Sequence, residues 1–384
     1  MLDDETLFGG RTRQPPISLK WQTGGFWGFF AQEFFLSPTG TAIAFDLYFG
    51  SSWHSYSRSA EHYSRRVLRY RNPLYTFQFV VAAMDRLSDM GWIDHDRAPP
   101  GRFEWQSAAC PKPALFDALG RIIDGRLTLV KPAEAIWLRD RGTRQLIDYR
   151  DNRQTERRRR LVEELNEAIM GANLPPAAAA PIVCIYTDNF GQNGRFYGLG
   201  NCFQNMPLEI RKLITICGES VVELDFRTIH PALLYARAGA APPSDCYSVR
   251  GFSRALAKLG LLVLINARNE ASARRAIATS DPMKATAPAS MQVAFGAAQR
   301  LIDQLKNLHS RIAWAFHCDM GLELMAQDAA IAAEVIRTML ARGIVVLPIH
   351  DSFLVPASKA SELEAAMIEA SQKVASVTLK VEAK

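Results

Sequence analysis

Residues 345–356 read VVLPIHDSFLVP, two short apolar runs of strand-forming composition around the polar triplet His350, Asp351 and Ser352. An unpaired carboxylate beside a core either neutralises or demands a counter-ion, so this stretch restricts what the rest of the chain must build around it. Residues 220–226, SVVELDF, are also β-rich and also end beside an aspartate, Asp225. If the two strands are neighbours, both carboxylates converge at one sheet edge, where they repel unless cations bridge them. Two divalent ions about 3.5–4 Å apart answer that repulsion and suit phosphoryl or nucleotidyl transfer. One would activate the attacking hydroxyl, and the other would steady the leaving pyrophosphate. For either aspartate taken alone, capping a turn is the plainer reading.

Between the two aspartates, residues 250–266 read RGFSRALAKLGLLVLIN. Arg254 and Lys258 are four apart and therefore share a helix face, with Leu261, Leu262 and Leu264 nearby for packing. Two cations on an otherwise apolar helix fit a triphosphate clamp, while a solvated basic face is the bland alternative. His230-Pro231 opens a short helical run that Gly239 closes.

The remaining features bound the class. With 48% hydrophobic and 22% charged residues, the 384-residue chain can bury a large core in two or three units. A formal charge of +6 leaves room for a polyanionic partner. Six scattered cysteines without a CxxC pair argue against a zinc knuckle or disulfide framework, and for a reducing, cytoplasmic setting. The opening residues, with Asp3, Asp4 and Glu5, lack a signal-peptide pattern, and the run FWGFF at 26–30 is too short to span a bilayer. No membrane partner is expected.

The N-terminal half is less regular. A helical pattern over 74–90 stops at Gly91, and Trp92-Ile93 and Phe103-Glu104-Trp105 flank the turn Pro99-Pro100-Gly101. A helix followed by a hairpin is the layout of a winged helix, and also of plain α+β scaffolds. Upstream, Arg58, Arg65, Arg66, Arg69 and Arg71 interleave with Tyr56, Tyr63, Tyr70 and Tyr75. That mixture suits phosphate neutralisation and base stacking, or a solvated helix face with anchoring tyrosines. An amphipathic helix over 155–169 follows, led by four consecutive arginines, and then the Pro/Ala-rich stretch 171–181 marks a boundary. The expected division is an α+β accessory module over 1–155, a helix and linker over 156–180, and a unit over 181–384 with an insertion at about 240–340.

Order and spacing together resemble a known family. Gly194-Arg195, then Gln204-Asn205-Met206-Pro207 with Arg211, then Asp225, then Arg254-x-x-x-Lys258, then His350-Asp351 resembles the palm and fingers of family A DNA polymerases, a palm shared with phage-type single-subunit RNA polymerases. The resemblance covers roughly residues 188–384. It implies an α+β fold: a right-hand palm, an antiparallel sheet with helices, carrying helical fingers and a thumb, for which the 156–180 helix is the candidate. It also implies Mg²⁺, with Mn²⁺ able to substitute, held by Asp225, Asp351 and the Phe226 backbone carbonyl. Arg254 and Lys258 would grip the incoming nucleotide, with Lys258 a proton donor to pyrophosphate. His230, Leu262 and Asn266 would border the nucleotide. Arg195, Arg211, Gln204, Asn205 and His350 would meet DNA template and primer, or in the case of the arginines tether the palm.

Several positions depart from the family pattern. Ser352 stands where the DNA polymerases carry Glu, and His-Asp-Ser is the form of the phage-type RNA polymerases. His230 replaces the Glu that acts as a gate against ribose. Leu262 replaces an aromatic, and Asn266-Ala267 replaces Tyr-Gly. Three functions therefore stay open: a DNA-directed DNA polymerase without a proofreading domain, a primase or RNA polymerase using the same site, and an inactive DNA-binding replication accessory protein. Compact size suits a plasmid, phage or other mobile element, with an accessory replication protein as a further partner. Gln327 and Asp328, polar positions on a long helix starting at Gly321, read equally well as strand contacts, core or surface.

Overall fold

The computed structural model describes residues 17–18, 21–22, 33–64, 67–99, 106–120, 128–286 and 290–384. Arg65, Arg66 and residues 100–105, which include most of the expected hairpin turn and its 103–105 strand, lie outside the described residues, as does the aromatic run 26–30. The fold is mixed α+β with antiparallel sheets and many helices. Among the described residues no helix is long and apolar enough to cross a membrane.

The N-terminal part runs α1 (Pro38–Gly50), β1 (His54–Tyr56), α2 (Ala60–Ser64), α3 (Phe77–Asp89), β2 (Ile93–Asp96), β3 (Ser107–Pro111) and α4 (Pro113–Gly120). Strands β2 and β3 pair antiparallel, and β1 joins the far edge of β3. Helix α3 starts three residues later than its apolar pattern, because the Thr76 side chain caps the Phe79 N–H. It buries Val80, Ala83, Met84 and Leu87.

A three-stranded sheet and one helix lead towards the site. Strand β4 (Ile136–Arg139) runs parallel to β5 (Ile182–Thr187), which pairs antiparallel with β6 (Asn189–Gly198). Between them α5 (Arg153–Gly171) begins in a reciprocal capping box of Asn152 and Thr155. The 171–181 stretch does not hang as a loose linker. Ala172, Ala178, Ala179 and Ala180 are buried, and Ala172 O and Ala178 O accept from Cys217 N and Phe203 N. Small side chains let this backbone press into the core where larger ones could not.

The second half is built on β7 (Glu219–Phe226). It continues through α6 (Ile229–Arg237), α7 (Arg254–Asn266), α8 (Glu270–Ala278), α9 (Met291–Leu308) and α10 (Gly321–Ala341). The chain then returns as β8 (Leu347–Ile349), β9 (Ser352–Pro356), α11 (Ala360–Ala375) and β10 (Val381–Ala383). The sheet order is β8-β9-β7-β10, with residues 215–216 pairing at the start of β7. Pro231 falls at the third position of α6, where its missing N–H is still one of the unbonded first four. Leu224, Phe226, Phe353 and Leu354 face inward, and the Phe226 and Phe353 rings meet edge-on at 6.5 Å.

Candidate active site at the ends of two neighbouring strands

Antiparallel pairing of β7 with β9 puts Asp225 directly opposite Ser352. His350 and Asp351 form the whole turn between β8 and β9, since Ile349 already pairs with Ser352. Phe226 N donates to Asp351 O at 3.2 Å, which draws the turn against the end of β7. The turn requires His350 at φ 58°, a left-handed conformation costing a non-glycine residue about 1–3 kcal/mol. The two aspartates are thereby neighbours, from positions far apart in the chain.

Their electrostatics follow. Burial, then the nearby Asp351 carboxylate, push the Asp225 carboxyl up to about 6. Asp225 Oδ1 is buried without a hydrogen-bond partner, and Oδ2 lies 3.2 Å from Lys384 Nζ. The Asp351 carboxylate has no hydrogen bond or ion pair among the described residues, only the field of its neighbours. Two carboxylates with unsatisfied oxygens at neighbouring strand ends concentrate negative charge in one place. Among the described residues no group of three or more His, Cys, Asp or Glu could hold a metal unaided. Mg²⁺ fits nevertheless, because it is commonly bound by one or two carboxylates, with water and substrate phosphates completing the shell.

Beneath Asp225 a second carboxylate is fully spoken for. Glu223 takes Arg211 at 2.9 Å, Lys384 at 3.2 Å and the Ser352 hydroxyl at 2.8 Å. Burial acts to raise its pKa, but those three partners outweigh it and hold Glu223 below the usual range. Burial likewise opposes the charge on Lys384, and Asp225 and Glu223 overcome it, raising the ammonium's pKa. The Ser352 departure now has a physical reason: its hydroxyl fits against Glu223, whereas a glutamate there would face a buried carboxylate. Ser352→Glu is expected to cost about 3 kcal/mol or more, read as a lowered denaturation midpoint. Ser352→Ala should cost about 1 kcal/mol.

On the other flank, Arg195 on β6 meets Asp328 on α10, with Nε 3.0 Å from Oδ1 and Nη2 against Oδ2. His230 Nε2 lies 2.8 Å from the same Oδ2 and 3.3 Å from Arg195 Nη2. Asp328 is 2% exposed. Arg195 also feels Asp351, and the His350 ring, 5.2 Å from Tyr197, has its pKa lowered by burial and then by Arg195. The site thus includes Glu223, Asp328 and Lys384, which motif spacing does not point to. Asp328 alone carried a signal, a lone carboxylate in an apolar helical run.

The other expected residues divide by what they touch. Gln204 ties strands together, accepting from Gly198 N and donating to Phe196 O and Pro348 O at 2.7 Å. Asn205 accepts from Cys202 Sγ, and Arg211 also donates to Met206 O. Arg69 spends its guanidinium on Asp148, Glu134, Asp151 and Tyr149 O, and lies over the Tyr149 ring. Its donors are thus committed inside the protein. Arg254, Lys258, Leu262 and Asn266 form one exposed stripe of α7 at intervals of four. Arg254 is paired with Asp245 and lies over Tyr247, while Lys258 has no partner among the described residues. Leu262 is 47% exposed. Asn266 donates to Leu262 O, and its side chain fills the space where a Cβ at Gly321 would project.

No protein-family model and no curated protein matches the chain. Among solved structures it is similar to the POL domain of Pol1 from M. smegmatis in complex with DNA primer-template and dNTP. Identity is 14%, the match covers 60% of this chain and 51% of that one, and the TM-score is 0.32. The chain therefore matches about half the length of that protein. A likeness so small adds nothing to the site, which stands on its own residues.

Proposed function

We propose that the chain is a template-directed nucleotidyltransferase of the family A DNA polymerase kind, extending DNA primers with nucleoside triphosphates. One observation carries this reading: Asp225 and Asp351 stand together at neighbouring strand ends with carboxylate oxygens left unsatisfied. In this reading Asp225, Asp351 and the Phe226 carbonyl hold Mg²⁺, or Mn²⁺ in its place, which supplies activation of the attacking hydroxyl and charge neutralisation at the leaving pyrophosphate. Residues 181–384 act as the palm, with fingers at about 240–340 and the α5 region as thumb. Arg254 exchanges Asp245 for the triphosphate, Lys258 protonates the departing pyrophosphate, and His350 supports the primer end. Leu262, Asn266 and His230 border the nucleotide. Arg195, Arg211, Gln204 and Asn205 act mainly by holding the strands that present the site. The N-terminal order of helix, strand, two helices and hairpin supports a winged helix that contacts nucleic acid.

A primase or RNA polymerase using the same site is favoured by two observations: Ser352 on Glu223, and His230 drawn onto Asp328 where a gate residue would stand. Incubation on unprimed single-stranded template, with NTPs or with dNTPs, separates the readings. Product without primer selects the second, and product only with primer and dNTPs selects the first. Absence of turnover with every nucleotide and metal, beside intact DNA binding, selects an accessory role instead.

The raised pKa of Asp225 makes the site pH-dependent. Cation binding competes with the proton on this carboxylate, so apparent Mg²⁺ affinity, read from incorporation at limiting Mg²⁺, should rise with pH through about 6 and level off above it. A profile flat from pH 5 to 8, with the protein folded throughout, would contradict this assignment.

A further inference from the structure

Lys384 places a cation of the protein's own inside the carboxylate cluster. Strand β10 pairs with β7 so that Ala383 stands opposite Leu224, and Lys384 N donates to Glu223 O at 3.0 Å. The Lys384 backbone is therefore fixed beside the site, and its Nζ lies 3.2 Å from both Glu223 Oε1 and Asp225 Oδ2. The two carboxylates do not need it equally. Arg211 donates to both Glu223 oxygens, at 2.9 and 3.2 Å, and the Ser352 hydroxyl adds a third bond. Glu223 is thus neutralised without Lys384. Asp225 has no other cation paired with it among the described residues, and its Oδ1 is buried without a hydrogen-bond partner. An ammonium is a compact charge on a flexible four-carbon stem. With 33% of this side chain exposed, the stem has room to turn while its backbone stays in the sheet.

We infer that Lys384 is the resident counter-ion of Asp225, holding that carboxylate until a divalent ion binds and then keeping Glu223 alone. The inference deepens the proposed function and rests on the cation site within it. A positive charge against Asp225 repels any second cation, so Lys384 lowers the affinity for divalent ions. It also prevents a buried carboxylate from standing unpaired in the metal-free protein. Because Glu223 remains as a partner, release of Asp225 strands no charge on the lysine. Lys384 acts through Asp225 and is a positioning residue, not a catalytic one.

Mn²⁺ uptake followed by electron paramagnetic resonance, without nucleotide or nucleic acid and at about pH 8 where proton competition is small, tests this. K384M and K384Q should each bind Mn²⁺ at least about tenfold more tightly than wild type, the size of one lost charge repulsion. K384R keeps the charge and should keep wild-type uptake. A side chain that only anchored β10 would give no tightening in any of the three. Glutamine still donates to both carboxylates, so K384Q preserves the comparison if methionine loosens the fold. Adding Asp225→Asn to K384M should abolish the gain. Denaturation in chelator supplies an independent reading, in which K384M should cost less stability beside Asp225→Asn than in wild type. Three results would each overturn the inference: uptake by K384M and K384Q no tighter than wild type, tightening that persists with Asp225→Asn, or an equal stability cost in both backgrounds. Tightened uptake in a protein that incorporates no nucleotide would sustain the counter-ion and remove the polymerase reading.

Discussion

Asp225→Asn is expected to abolish nucleotide incorporation and at the same time to stabilise the metal-free protein. The loss should be at least about 10²–10³-fold, the size seen when one preorganised electrostatic group is removed from a reacting centre. The gain has a separate origin. In the fold, burial and Asp351 lift the Asp225 carboxyl from 3.8 to about 6, so between those values the folded state holds a proton that the unfolded state has released. Stability of the metal-free protein should therefore rise as pH falls through that window, and at neutral pH the full cost of the buried charge is present. That cost is up to about 3 kcal/mol. Asparagine removes it, less what Lys384 loses when one of its two carboxylate partners disappears. Denaturation at pH 7 in chelator, beside an incorporation assay, reads both effects. Loss of activity with loss of stability would mean that Asp225 is a structural residue.

The second large effect is expected at Asp328. Its carboxylate compensates a buried Arg195 and receives His230. Removing one partner of a buried pair strands the other charge, which typically costs 3–5 kcal/mol. Asp328→Ala should lower stability by about that amount. The double variant R195M/D328A should recover most of it, because an apolar replacement of the whole pair leaves no orphan charge. Chemical denaturation of wild type, single and double variants closes the cycle. A single variant within about 1 kcal/mol of wild type would show that solvent reaches Arg195 and that the cluster does not fix β6 to α10.

The legibility of this molecule follows the range of its interactions. Local periodicity exposed the α7 stripe, because Arg254, Lys258, Leu262 and Asn266 recur at intervals of four. Alternation and composition exposed β7 and β9, and with them the convergence of Asp225 and Asp351. Pairings between distant segments left no such trace. Nothing near Glu223 announces Arg211, Ser352 and Lys384 together, and nothing near Arg69 announces Glu134, Asp148 and Asp151. Arginine among tyrosines reads the same whether it faces phosphate or an internal carboxylate, and only the fold distinguishes them. The alanines after α5 look like a linker for a related reason: small residues mark both loose connections and tight backbone approaches.

The central claim is that Asp225 and Asp351 act as one cation site. Titrating Mn²⁺ into the protein and following the free ion by electron paramagnetic resonance tests it most directly, above pH 7 where the raised Asp225 carboxyl is ionised. The account predicts saturable uptake by the wild type that Asp225→Asn and Asp351→Asn each weaken at least tenfold. Undiminished uptake by both variants would contradict it.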